Sequence, residues 1–195
     1  MARITREQLE YWLASGYGYV VNGGEGSTPI TFAGAYDADA PDCFISVPDN
    51  TGIIPYSIRV IYETVGTEST MEIIALVSDS NDSTATGTAA TIKTLRTDAP
   101  QSSLCTATVA VDAAGITDPH DVQYHEFWRY MRPLTDTVAT TENDRHPLVF
   151  SWTAFVDGPP PVIQNGGSLS VYAASQAGTG FITVTWVELP SGALT

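Results

Sequence analysis

The sequence predicts an all-β protein, a jelly-roll-like antiparallel β-sandwich with a short N-terminal helix. Many short segments alternate apolar and polar residues with a period of two, the signature of strands with one wet face. Stretches rich in Gly, Pro, Asn and Asp separate them, and no crossover helices lie between, which points to a sandwich or barrel rather than a parallel sheet. The chain also runs to its end on "GTGFITVTWVELP" (Gly178–Pro190), where Ile182, Val184 and Trp186 oppose Thr183, Thr185 and Val187. From Phe181 to Leu189 that segment is free of Gly and Pro, so it suits the interior of a sheet, and a closed sandwich is completed by its last strand.

At 195 residues the chain fits one such domain. Residues 1–16 read as a helical arm and 17–195 as the single sandwich. "TREQLEYWLASG" (Thr5–Gly16) is the one good helical pattern: Thr5 and Gln8 form a capping box, Leu9, Trp12 and Leu13 share a face, and Gly16 offers a left-handed exit. About three turns are marginal alone, so that face must pack on its own sandwich or on a neighbour. Strands follow at Tyr17–Val21, Pro29–Tyr36, Cys43–Pro48, Pro55–Val65 and Thr70–Asp79. Further ones are expected at Thr91–Thr97, Leu104–Asp112, Gln123–Arg132, Leu148–Val156, Ser168–Ser175 and Gly178–Pro190. Tyr56, Ile58, Val60 and Tyr62 are assigned inward against Ser57, Arg59 and Glu63, as are Leu148, Phe150, Trp152 and Ala154 against Ser151 and Thr153. The polar segment from Leu134 to Pro147 reads as a long exposed loop.

Composition limits the function classes. With 22 acidic against 8 basic residues the net charge is −14, and Lys93 is the only lysine. Phosphate neutralisation needs clustered Lys and Arg, so nucleic acid and anionic membrane surfaces are not expected partners. No cofactor is expected either. "MARITREQLEYW" lacks the apolar run of a signal peptide, which predicts synthesis in a host cytoplasm. Cys43 and Cys105 lack metal-ligand spacing and read as two buried thiols, with a disulfide left open.

No catalytic or metal-binding residues are assigned. His120, Asp121, His125 and Glu126 in "HDVQYHE" could in principle bind a metal, but a five-residue step puts the two imidazoles on opposite faces of a strand, and no His-x-His pair exists. His146 stands alone at a loop end. Asp37, Asp39 and Asp42 could hold calcium, yet they lack the Gly and distal Glu of an EF-hand and are ordinary turn formers. No nucleophile elbow or phosphate loop occurs, so the chain is read as non-enzymatic. "EFWRYMR" (Glu126–Arg132) joins aromatic and Arg residues of the kind enriched at protein contacts. In an even strand Trp128 and Tyr130 share a face with Glu126 and Arg132, and Phe127, Arg129 and Met131 share the other. Phe127, Trp128, Arg129, Tyr130 and Arg132, with Leu9, Trp12 and Leu13 of the helix, are therefore the candidate interface residues.

The runs "ISVPDNTGIIPYSIRVIYETVGT" and "GGSLSVYAASQAGTGFITVTWVELP", within the region Gly24–Pro190, resemble small jelly-roll structural proteins of tailed bacteriophages. These include capsid decoration (cement) proteins and related minor virion proteins. The resemblance implies a virion component on the outer capsid surface, a homotrimer that clamps neighbouring major capsid protein subunits. The alternatives are a phage tail, baseplate or receptor-binding module that presents a groove with exposed aromatics to a glycan, and a carbohydrate-active enzyme on a sandwich scaffold, which needs two carboxylates facing each other across a cleft.

Overall fold

A computed structural model describes residues 4–65, 70–82, 84–99, 101–121, 123–133, 148–174 and 177–194. The exposed loop expected at 134–147, with His146, lies outside the described residues. The chain begins with helix α1 (Arg6–Trp12). Its capping box forms as expected: Gln8 N–H donates to Thr5 Oγ1 at 3.3 Å and Thr5 N–H to Gln8 Oε1 at 3.0 Å. The chain then runs through one wider turn, Leu13–Tyr17, and leaves it at Gly16, whose φ of +95° is the left-handed exit that glycine allows.

Two antiparallel sheets follow. The first is built on β1 (Gly18–Gly23), β4 (Thr51–Val65), β10 (Leu148–Thr153) and β13 (Gly178–Pro190). Short β7 (Lys93–Thr94) extends its order to β10-β4-β13-β1-β7, with β2 (Ile30–Phe32) on β13 and β11 (Ile163–Gln164) on β4. The second has β3 (Cys43–Ser46), β5 (Thr70–Ser78), β8 (Thr106–Val109), β9 (Tyr124–Pro133), β12 (Ser168–Ala174) and the two-residue β6 (Thr88–Ala89), in the order β6-β8-β3-β12-β5-β9. The long strands pair from the outside of the sequence inward: β1 with β13, β3 with β12, β4 with β10 and β5 with β9. A single long hairpin rolled up on itself gives this nesting, which is the jelly-roll form of the sandwich. It explains why the terminal strand is so regular: β13 is held between β1 and β4 in the middle of its sheet.

The core lies between the sheets. Ile58, Val60, Tyr62, Phe150, Trp152, Ile182, Val184 and Trp186 point in from the first, and Ile45, Ile73, Leu169 and Val171 from the second, each 2% exposed or less. Tyr56 leaves the inward row assigned to it. Pro55 pairs with Trp186 and Ser57 with Thr185, so Tyr56 is the extra residue of a bulge, only partly buried and close to Arg6. Helix α1 packs on its own chain rather than standing off as an arm. Gly18 alternates with inward Tyr19, and a Cβ on it would lie 2.9 Å from Leu13 Cδ2, so this segment covers the outer face of the first sheet. Leu9 is fully buried there.

The second sheet is apolar on both faces. Met71, Ile73 and Ala75 enter the main core, while Ile74, Leu76, Tyr172 and Ala174 form a separate buried cluster outside the sheet. The chain before β3 supplies its cover, since Tyr172 Oη donates to Ala38 C=O at 2.8 Å and the Tyr36 ring lies 4.9 Å from that of Tyr172.

At the entry to β3, Asp42 is 5% exposed and accepts the Ala173 N–H at 2.7 Å. Burial pushes its carboxyl up to about 7, against the lowering effect of these backbone bonds. A carboxyl raised in the folded state stabilises fully below its unfolded value, about 4, and that contribution is lost as pH rises through about 7. Wild-type protein is therefore expected to gain stability relative to Asp42→Asn on acidification from about pH 7.5 to 5, by up to roughly 1.4 kcal/mol per pH unit. Denaturant melts of both at the two pH values check this; parallel pH profiles refute it.

Candidate binding face on the second sheet

The interface segment on β9 is reorganised by a bulge. Trp128 pairs with Ala75 and Glu126 with Leu76, which leaves Phe127 unpaired. The even alternation expected from the sequence is therefore broken: Phe127 and Trp128 both turn inward, and Glu126 moves to the outer face beside Arg129. Phe127 packs edge-on against Trp152 with centroids 5.1 Å apart, and Trp128 is 8% exposed. These two residues, with Leu9, belong to the chain's own core and offer little surface to a neighbour. Trp12 and Leu13 are half-buried against that core. Arg129, Tyr130 and Arg132 are exposed.

On the outer face Arg129 holds two carboxylates. Its Nε and Nη2 donate to Glu126 Oε1 and Oε2 at 2.8 and 2.5 Å, and Nη1 donates to Glu72 Oε1. The bond to Glu126, followed by that to Glu72, holds the guanidinium above its ordinary pKa. The triad is solvated, so its worth lies in fixing the carboxylates rather than in stability. Above it Tyr36 Oη bonds His120 Nε2, and the His120 ring lies 4.1 Å from that of Tyr124. Burial, then the charge of Asp118, pushes the Tyr36 phenol up to about 12, so it stays protonated. The result is a groove of about 710 Å³ with Ile74 and Leu76 as its floor and Tyr36, Tyr124, Glu72 and Glu126 on its walls.

The groove joins residues far apart in sequence; Tyr36 and His120 are separated by 84 positions. His120 and Glu126 belong to the "HDVQYHE" cluster, to which the sequence assigns no metal. They do meet at one groove, whereas His125 lines a different hollow beside Val77 and Gln164. No spacing or motif in the sequence marks Tyr36, Glu72 or Tyr124. The one signal for the groove is the apolar run "IIALV" (Ile73–Val77) after Glu72, which marks a strand covered on both faces.

The remaining candidates resolve into structural roles. Asp37 Oδ1 accepts the Asp39 N–H at 3.2 Å and Asp37 C=O accepts the Ala40 N–H at 3.1 Å, a turn, while Asp42 is buried at β3. Among the described residues no group of three or more His, Cys, Asp or Glu is arranged to hold a metal ion. Cys43 and Cys105 are both free and buried. Burial pushes Cys43 up to about 12 and raises Cys105 as well, where nearby Glu188 adds to the effect. Glu188 is 6% exposed on β13 and accepts from Ser103 Oγ at 2.5 Å and Leu104 N–H at 2.7 Å. It clamps the chain leading into β8 onto the first sheet, at the edge of a hollow of about 840 Å³ that Trp12, Tyr19 and Leu104 also line.

Fold and site together define an all-β sandwich of jelly-roll form with a polar, aromatic-walled groove outside one sheet. Comparison with protein-family models, with curated proteins and with solved structures finds no match to this chain.

Proposed function

We propose that this chain is a non-enzymatic structural protein of a phage virion, a capsid decoration protein. In this reading it is made in the host cytoplasm, self-associates as a trimer and sits on the outer capsid surface against the major capsid protein. The supporting observation is the side of the sandwich where β9 and β10 end their sheets. Tyr130, Met131 and Val149 stand 46%, 58% and 41% exposed there, in a chain that buries most of its large apolar side chains. Arg132 is exposed on the same strand, one of few cations on a chain of net charge −14, and can pair with acidic groups of another copy. Aromatic, Met and Arg side chains together are the composition of a protein contact. A stiff two-sheet core suits a clamp, since a clamp must transmit load without yielding.

Mass measurement by light scattering tests the reading. Wild-type protein is expected at three times the chain mass, and Tyr130→Ala combined with Met131→Glu is expected to give the single-chain mass with the melting temperature little changed. A wild-type chain that stays monomeric refutes self-association.

A further inference from the structure

We propose that the groove outside the second sheet binds a neutral saccharide. This goes beyond the role in a capsid; the groove borders the surface given to self-association, since Glu72 on its wall pairs with Met131 across β5 and β9. The groove is amphipathic in the way a pyranose is. Ile74 and Leu76 lie nearly fully buried beneath it, and the apolar surface on offer is that of Tyr36 and Tyr124, which are 41% and 42% exposed. Aromatic carbon suits the C–H face of a sugar ring, and the polar rim suits its hydroxyls. At about 710 Å³ the space is of the size that holds a small ligand.

The polar groups are fixed before any ligand arrives. Arg129 anchors Glu126 through both oxygens and Glu72 through Oε1, leaving Glu72 Oε2 to accept from a hydroxyl. The Tyr36 hydroxyl occupies His120 Nε2, which sets the ring and leaves Nδ1 for the ligand. Side chains that need no reordering lower the entropic cost of binding. Charge selects the class. Glu72, Glu126 and Asp118 surround a single cation, Arg129, that is already engaged, so phosphate, sulfate and carboxylate groups are repelled. A neutral polyol instead donates its hydroxyls to carboxylate acceptors, the stronger kind of hydrogen bond.

The test uses the full chain with glucose, galactose, mannose, lactose and maltose as probes and sialyllactose as the anionic comparison, read by saturation-transfer NMR and calorimetry. At least one neutral sugar is expected to bind and sialyllactose to bind more weakly than lactose. Tyr124→Ala is expected to weaken the binding by about tenfold or more. Glu72→Gln, which keeps the shape but removes the charged acceptor, is expected to weaken it too. No transfer to any neutral sugar, preference for sialyllactose, or unchanged affinity in both variants overturns the proposal. Glu72 pairs with Met131, whereas Tyr124 pairs with Ser78, so Tyr124→Ala with unchanged solution mass is the variant that separates sugar binding from self-association.

Discussion

Trp186→Ala is expected to remove about 3–5 kcal/mol of folding stability, a large part of what a domain of this size has. The indole is fully buried on the strand that holds the first sheet together, with its ring 6.3 Å from that of Tyr19. Truncation loses the transfer energy of the largest side-chain type and leaves a void that strands paired on both sides cannot collapse around. It also removes the indole N–H that donates to Glu188 Oε2 at 3.5 Å. Left with Ser103 and Leu104 as its donors, the carboxylate is then opened to rearrangement, and the clamp on the chain before β8 loosens with it. A fall in melting temperature on the order of 10 °C follows for a domain of this length. Urea denaturation read by intrinsic fluorescence measures it. A loss under about 1 kcal/mol would mean that the site relaxes freely and that Trp186 is not packed as described.

The same residue shows what could be read from the sequence. Trp186 and Trp152 lie in segments whose period of two survives intact, so both their strands and their inward faces were legible. The central place of β13 followed from the absence of Gly and Pro between Phe181 and Leu189. Bulges were not legible. Tyr56 and Phe127 look in sequence like members of an even alternation, and only pairing against β13 and β5 shows each to be the extra residue. A one-residue insertion reverses every face beyond it, so the sequence placed Glu126 on the face of Trp128 when it lies beside Arg129. Strands of two residues, β6 and β11, exist only through their partners and carry no period of their own. The groove was hidden for a different reason. Its walls come from the loop before β3, from β5, from the short turn at Pro119–Asp121 and from β9, and no spacing rule links such positions. The helix is an intermediate case: its cap and apolar stripe were plain, while its docking on the chain's own first sheet needed the position of Gly18.

Gly180→Ala is expected to cost about 2–4 kcal/mol, although alanine normally favours a strand over glycine. The pairing of β13 with β4 shifts register between Thr179 and Gly180, leaving Glu63 unpaired opposite. At that shift the strands approach so closely that a Cβ on residue 180 would lie 2.0 Å from Ile61 O, 2.7 Å from Phe32 Cε2 and 3.0 Å from Ile61 C. Two of these three obstacles are backbone, which cannot rotate away as a side chain can. Alanine there must push β13 off β4 or slide the pairing. Sliding by one residue would turn Ile182 and Val184 out of the core, so separation is the cheaper course and the hydrogen bonds nearest the bulge are lost. Amide hydrogen exchange should show this as faster exchange from Gly178 to Ile182 and from Ile61 to Val65, with β12 and β5 unchanged. Wild-type stability and protection in Gly180→Ala would refute the register shift and the close approach it creates.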